Sequence, residues 1–220
     1  MKLILLGLTL QLLPLNLSID SHTALSITEL FGLVLILIGA FLQSQSDREF
    51  RRMQWLALGG VALCGASYVL AKTIGTGLVI DQSLVPGSAL PRYFVVAMLG
   101  AAVLVGLEIE IVRQVLLGAR RMSAQIKPGA DKAWKLYAIT FALSKALTAS
   151  MAFVTMGQPA ETFAADHSLL LDTIMPVYIP ALVCEMLSFV GKVWLLLRLL
   201  DVFPKQAAAQ SAPKKARKRG

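Results

Sequence analysis

The chain has 220 residues, of which 56% are hydrophobic and only 15% are charged, with a mean hydropathy of +0.69 and a formal net charge of +8. This composition excludes an ordinary water-soluble domain of the same size, in which about 25% of residues are charged. It is typical of one polytopic integral membrane domain.

Six apolar stretches approach the length of a membrane span, which needs about 20 mostly apolar residues. They predict an all-α fold, a bundle of six transmembrane helices, or five if the first stretch is removed by processing. In chain order the stretches are 3–19, 24–43, 55–71, 93–112, 134–156 and 174–200.

The first stretch has the shape of a signal peptide, because Lys2 precedes an apolar run from Leu3 to Leu13. The segment that follows has no clear pair of small residues at which a signal peptidase would cut. We therefore expect residues 1–22 to be a retained signal anchor that forms the first span. The helical membrane domain would then extend over residues 23–203.

The basic residues alternate between loops. They are concentrated between the second and third stretches, between the fourth and fifth, and in the tail, while the other loops carry little positive charge. The positive-inside rule then predicts that both termini are cytoplasmic. It also accounts for the net charge without nucleic acid, which we do not expect as a partner. Size and the leader-like start favour a bacterial inner membrane.

The last segment, 204–220, is predicted to be a flexible cytoplasmic tail, since it has no core-forming residues. Anionic lipid headgroups attract such a segment by about 1 kcal/mol per basic residue near the surface. We therefore expect the tail to contact these headgroups. Its basic residues are Lys214, Lys215, Arg217, Lys218 and Arg219.

Two helix features have structural interpretations. Ser26-Ile27-Thr28-Glu29 forms a capping-box pattern, so Glu29 is interpreted as a helix cap. Pro176 and Pro180, one turn apart, each remove a backbone hydrogen bond and predict a kink in the sixth helix. Such breaks border the binding site in some transporters, but in most membrane proteins they only affect packing.

Lys145 lies near the middle of the fifth stretch, where an ammonium group facing lipid costs roughly 2.5–3.5 kcal/mol. It shares a helix face with Ala138, Ala142, Ala149 and Ala152, and small residues mark the packed side of a membrane helix. We therefore expect Lys145 to point into the bundle.

The sixth stretch carries Glu185, Ser188 and Lys192 on one helix face. At 1.5 Å per residue, Glu185 lies at about the depth of Lys145 when the two helices are antiparallel neighbours. This predicts a Lys145–Glu185 ion pair near the midplane of the bilayer.

The fourth stretch contains Glu108 and Glu110, which point to nearly opposite faces of a helix. Glu110 can pair with Arg113 at i+3. Glu108 has no such local partner and is predicted to be a second intramembrane acid that pairs with Lys145 or Lys192. The predicted charge network therefore consists of Lys145, Glu185, Glu108, Lys192 and Ser188.

Two hypotheses explain this network equally well. The charges neutralise one another and fix the order of the helices, or a carboxylate exchanges partners with Lys145 while ions or protons cross. No metal, haem, nucleotide or covalent-catalysis motif is present, so we expect no metal site, no cofactor and no catalytic residue.

The absence of catalytic motifs and the short loops favour a non-enzymatic scaffold or accessory subunit of a larger membrane complex. Its expected partners are the lipid bilayer and other membrane protein subunits. The alternative is a small transporter or an ion or proton channel that uses Lys145, Glu185 and Glu108. A membrane-embedded enzyme ranks third.

Overall fold

Helices account for nearly all of the described structure, and each helix packs against the next one along the chain. The structure is a computed structural model. It describes residues 1–13, 16–20, 23–44, 48–74, 94–122, 129–156 and 167–200.

The described residues form six helices and one β-hairpin, which agrees with the predicted all-α architecture apart from the hairpin. Strands β1 and β2 are antiparallel, and Asn16 pairs with Ser26. The elements are α1 (Lys2–Leu10), β1 (Asn16–Asp20), β2 (Thr23–Ser26), α2 (Ile27–Gln43), α3 (Arg48–Ile74), α4 (Phe94–Met122), α5 (Gly129–Met156) and α6 (His167–Leu200).

The first helix differs from the predicted span over residues 1–22. α1 has only 9 residues, and at 1.5 Å per residue it is about 14 Å long, roughly half the thickness of the hydrocarbon core. Pro14 has no backbone N–H with which to continue a helix. The polar residues that follow lie in the hairpin, so the apolar composition overestimated the length of the helix.

Glycines allow α1 to pack closely against α2. A Cβ added at Gly7 would lie 2.5 Å from the carbonyl oxygen of Gly32, and one added at Gly39 would lie 3.1 Å from the backbone nitrogen of Ile4. These contacts show that the two helices are antiparallel. They also place the start of α1 beside the end of α2.

The packed core lies at one end of the bundle, where the basic residues cluster. Ion pairs Arg121–Glu49 and Arg120–Asp131 join α4 to α3 and to α5 at this end. In α4 no described side chain before Ile111 is buried, whereas most of those that follow are. Buried core residues at this end include Phe50, Met53, Val115, Ala119, Ala130, Ala133, Leu195 and Leu199.

The outer surface of the bundle is strongly apolar. On α6 alone, Ile179, Met186, Phe189 and Val190 each expose about half of their surface or more, while the polar Lys192 is buried. Exposed apolar patches of this kind mark contact with protein or lipid. The exposed apolar face of α6 is therefore suited to contact with protein or lipid.

By length and composition, one helical segment among the described residues could cross a membrane, Ile174–Leu200. A second apolar helical segment, Thr28–Gln43, is shorter than the roughly 20 residues that a span needs. The structure therefore supports one candidate span, and the arrangement with six spans stays a prediction.

Candidate functional site

A buried ion pair joins α4 to α6 in the interior of the bundle. Lys192 Nζ donates a hydrogen bond to Glu108 Oε1 at 2.7 Å, and the two side chains are 7% and 17% exposed. The hydroxyl of Tyr137 on α5 donates to the same carboxylate oxygen at 2.7 Å. Lys192 Nζ also donates to Gln11 Oε1, just beyond α1, at 3.4 Å. We call Gln11, Glu108, Tyr137 and Lys192 the polar centre.

Close packing of α5 on α6 brings two members of the polar centre to the same level. A Cβ added at Gly191 would lie 2.8 Å from the backbone nitrogen of Tyr137, so only glycine fits there without a shift of the backbone. Lys192 follows Gly191 directly and its Nζ lies 5.5 Å from the centre of the Tyr137 ring. The ammonium group is thus close to both an aromatic ring and a carboxylate, and both attract it.

Glu29 on α2 brings a second acid near the polar centre. It lies in the first turn of its helix, as the capping interpretation requires. Together with Gln11, Glu108 and Gly60 it also lines a cavity of about 10 Å³, roughly the room for one water molecule. Lys145 and Lys192 both attract its carboxylate. The capping-box pattern alone did not predict that Glu29 also lies beside the polar centre.

Lys145 and Glu185 are not brought together within the chain. Both side chains are exposed, and among the described residues no ion pair joins them. The Nζ atom of Lys145 instead lies 5.5 Å from the centre of the Phe141 ring. The expected Lys145–Glu185 ion pair is therefore not formed within the chain. That Lys145 points into the bundle stays a prediction, and its charge attracts the carboxylates of Glu29 and Glu108.

The reason lies in which faces of α5 and α6 meet. The contact is made by Tyr137 and Gly191. At 100° per residue, Lys145 points about 80° away from Tyr137, and Glu185 points about 120° away from Gly191. Both charged residues therefore lie at the rim of the contact rather than inside it.

The other predicted site residues are distributed as follows. Ser188 is buried on α6, one turn before Lys192. Pro176 and Pro180 lie inside α6, which continues through both, and they line an open groove of about 470 Å³ with Asp172. The basic residues of the tail, from Lys214 to Arg219, lie outside the described residues.

Sequence reasoning gave no role to Gln11 or Tyr137. Neither residue carries a charge, and their contribution depends on the contact of α1, α4 and α5 around Glu108. A signal was nevertheless available for Tyr137, because buried tyrosine hydroxyls usually have a hydrogen-bond partner. Glu108 is such a partner at the matching depth.

The chemistry of the polar centre is that of a neutral, hydrogen-bonded charge pair. Among the described residues, no group of three or more histidine, cysteine or acidic side chains could hold a metal ion. Cys64 and Cys184 are free thiols. The centre can hold four segments of the chain together, and the adjacent cavity can admit one water molecule.

Comparison of the chain with protein-family models, with curated proteins and with solved structures finds no match. The function must therefore follow from the polar centre and its surroundings.

Replacing Tyr137 with phenylalanine removes one of the two hydrogen bonds to Glu108 Oε1. We expect a loss of about 1.5–3 kcal/mol in the free energy of unfolding, the usual value for a hydrogen bond to a charged group. Urea unfolding in detergent measures it. Tyr178→Phe, at an exposed position on α6, is the matched control and should change stability little. Equal effects of the two substitutions would contradict a role for the Tyr137 hydroxyl.

Proposed function

We propose that this chain is a non-enzymatic integral membrane protein, a scaffold or accessory subunit of a larger membrane complex. The observation that supports this most is the hydrogen bonding within the polar centre. Glu108 Oε1 accepts two hydrogen bonds and Lys192 Nζ donates two, between four separate segments of the chain. Groups paired in this way hold helices in one arrangement, and the cavity beside them has a volume of only about 10 Å³.

The surface supports a position in the bilayer. Large apolar side chains face outward while Lys192 and Glu108 are paired inside, the distribution that hydrocarbon favours. Most of the described basic residues lie at one end, where α1 begins and α6 ends. In the proposed topology this end is cytoplasmic, as the positive-inside rule requires.

We propose that α2 to α6 are the crossing helices, in a bacterial inner membrane. α1 lies against α2 and reaches only part of the way across. The exposed apolar faces would be covered by lipid and by other membrane subunits. The basic tail would contact anionic headgroups.

Purification of the tagged full-length chain from its membranes in mild detergent tests the proposal. We expect at least one other membrane protein to copurify in a fixed ratio, measured by quantitative mass spectrometry. Purification of the chain alone, whether as a monomer or as an oligomer of itself, would contradict the subunit proposal.

The second candidate function is proton or ion transport. It is favoured by the cavity that Glu29 and Glu108 both line. It is also favoured by the position of the packed core, which lies between this cavity and the end of the bundle that carries most of the basic residues. A carboxylate beside a water molecule can accept and release a proton. In this mechanism Glu108 would release the ammonium group of Lys192 when it binds a proton. Lys145 would attract the carboxylate of Glu29.

Proton flux into liposomes that contain the purified chain, followed with a pH-sensitive dye, separates the two candidates. Transport predicts flux that Glu29→Gln and Glu108→Gln each abolish. Glu110→Gln is the matched control, because Glu110 pairs with the exposed Arg113 near the surface. The subunit proposal predicts no flux above that of empty liposomes for any of these chains.

A further inference from the structure

Glu185 is an exposed charge within an apolar helix. It lies near the middle of the segment Ile174–Leu200, and Leu182, Met186 and Phe189 around it are also exposed. Among the residues that the structure describes, no cation pairs with it. A carboxylate that faces hydrocarbon is costly, so a partner with a positive charge at the same depth would be strongly favoured there.

Lys145 supplies a positive charge at that depth. The contact of Gly191 with Tyr137 sets the register of the antiparallel pair α5–α6. From this contact Lys145 lies eight residues along α5 and Glu185 lies six residues back along α6. At 1.5 Å per residue their Cα atoms therefore differ in depth by about 3 Å. Both side chains are exposed.

We propose that a second copy of this chain binds the surface formed by Lys145, Glu185 and their exposed apolar neighbours, which we call the α5–α6 charged surface. Two charges of opposite sign at one depth make this surface self-complementary, as a two-fold interface requires. An axis along the membrane normal preserves depth, so Lys145 of each copy meets Glu185 of the other.

The exposed apolar residues beside the two charges complete the surface. Leu182 and Phe189, three residues before and four residues after Glu185 on α6, expose 41% and 51% of their surface, and Ala142, three residues before Lys145 on α5, is also exposed. Packing of these side chains around the ion pairs would exclude lipid and water from them. Lys145 is also attracted by Glu29 and Glu108 of its own chain, but neither of these acids neutralises Glu185.

This inference depends on the proposed position in the membrane but not on any foreign subunit. It is tested with two single variants, Lys145→Glu and Glu185→Lys. The first carries two acidic groups on the charged surface and the second carries two basic groups. Chains with two different affinity tags are coexpressed, and copurification of one tag with the other in mild detergent is measured.

We expect the wild-type chain to copurify with itself. Each single variant should lose self-association at least about tenfold, because like charges then face each other across the interface. The mixed pair of the two variants should recover it, since both contacts then join opposite charges. This recovery also shows that both variants fold. Lys135→Glu, at an exposed position near the basic end of α5, is the control and should associate like wild type.

Three results would overturn the proposal. They are a wild-type chain that does not self-associate, single variants that self-associate as well as wild type, and recovery that requires both substitutions in one chain. A foreign subunit that still copurifies in any of these cases leaves the proposed function standing. Self-association without a foreign subunit contradicts the proposed function alone.

Discussion

Replacing Lys192 with methionine is expected to destabilise the folded protein by about 3–5 kcal/mol, because it leaves the carboxylate of Glu108 buried without its counter-charge. Lys192 Nζ is 2.7 Å from Glu108 Oε1, and both side chains are largely excluded from solvent. Methionine fills a similar volume and is tolerated in apolar packing. The loss is therefore due to the charge. Thermal or urea unfolding of the purified chain in detergent measures it.

Removal of both charges should recover most of this stability. In Glu108→Gln combined with Lys192→Met, no ionised group of the pair is left buried, and an uncharged replacement of a buried pair is often close to neutral. Arg113→Met is the matched control. It breaks an exposed i,i+3 pair with Glu110 and should cost less than about 1 kcal/mol. A double variant as unstable as Lys192→Met would contradict this explanation.

Gly191→Ala is expected to destabilise the protein by about 1–3 kcal/mol, the usual cost of an overpacked contact. The added Cβ would lie 2.8 Å from the backbone nitrogen and 3.0 Å from the Cα of Tyr137. Backbone atoms cannot rotate away, so α5 and α6 must separate. The same separation would move the Tyr137 hydroxyl away from Glu108.

Gly106→Ala on α4 is the control for this substitution, because no atom outside the adjoining backbone of α4 lies within 4 Å of the position of its added Cβ. In a helix, alanine is favoured over glycine by up to about 1 kcal/mol, so this variant should be slightly more stable than wild type. Urea unfolding in detergent compares the two variants. Equal stabilities would contradict close packing at Gly191.

The sequence was most informative where a residue type can be buried in only a few kinds of environment. A glutamate without a local basic partner in an apolar stretch requires a distant cation, and the structure pairs Glu108 with Lys192, one of the two partners considered. Glu110 and Arg113 form the pair expected from their i,i+3 spacing. Apolar composition likewise predicted helices over most of the described residues.

Other features depended on contacts between helices, which hydropathy does not encode. The depth of Lys145 and Glu185 suggested a pair, but the faces that α5 and α6 present to each other are determined by Gly191 and Tyr137. The role of Gln11 requires α1 to end where it does. Glu29 lies beside the cavity as well as at the start of its helix. This placement depends on α2 and α4 both lying near Gln11.

The most direct test of the central claim, that the polar centre holds helices together for a subunit of a membrane complex, uses the neutral double variant Glu108→Gln/Lys192→Met. The measurement is the amount of foreign membrane protein that copurifies with it, relative to wild type. Because the double variant leaves no buried charge unpaired, we predict the same partner in the same ratio, whereas Lys192→Met alone, which leaves Glu108 buried without its counter-charge, should lose most of the partner. A folded double variant that has lost the partner, or a wild-type chain that never had one, would contradict the claim.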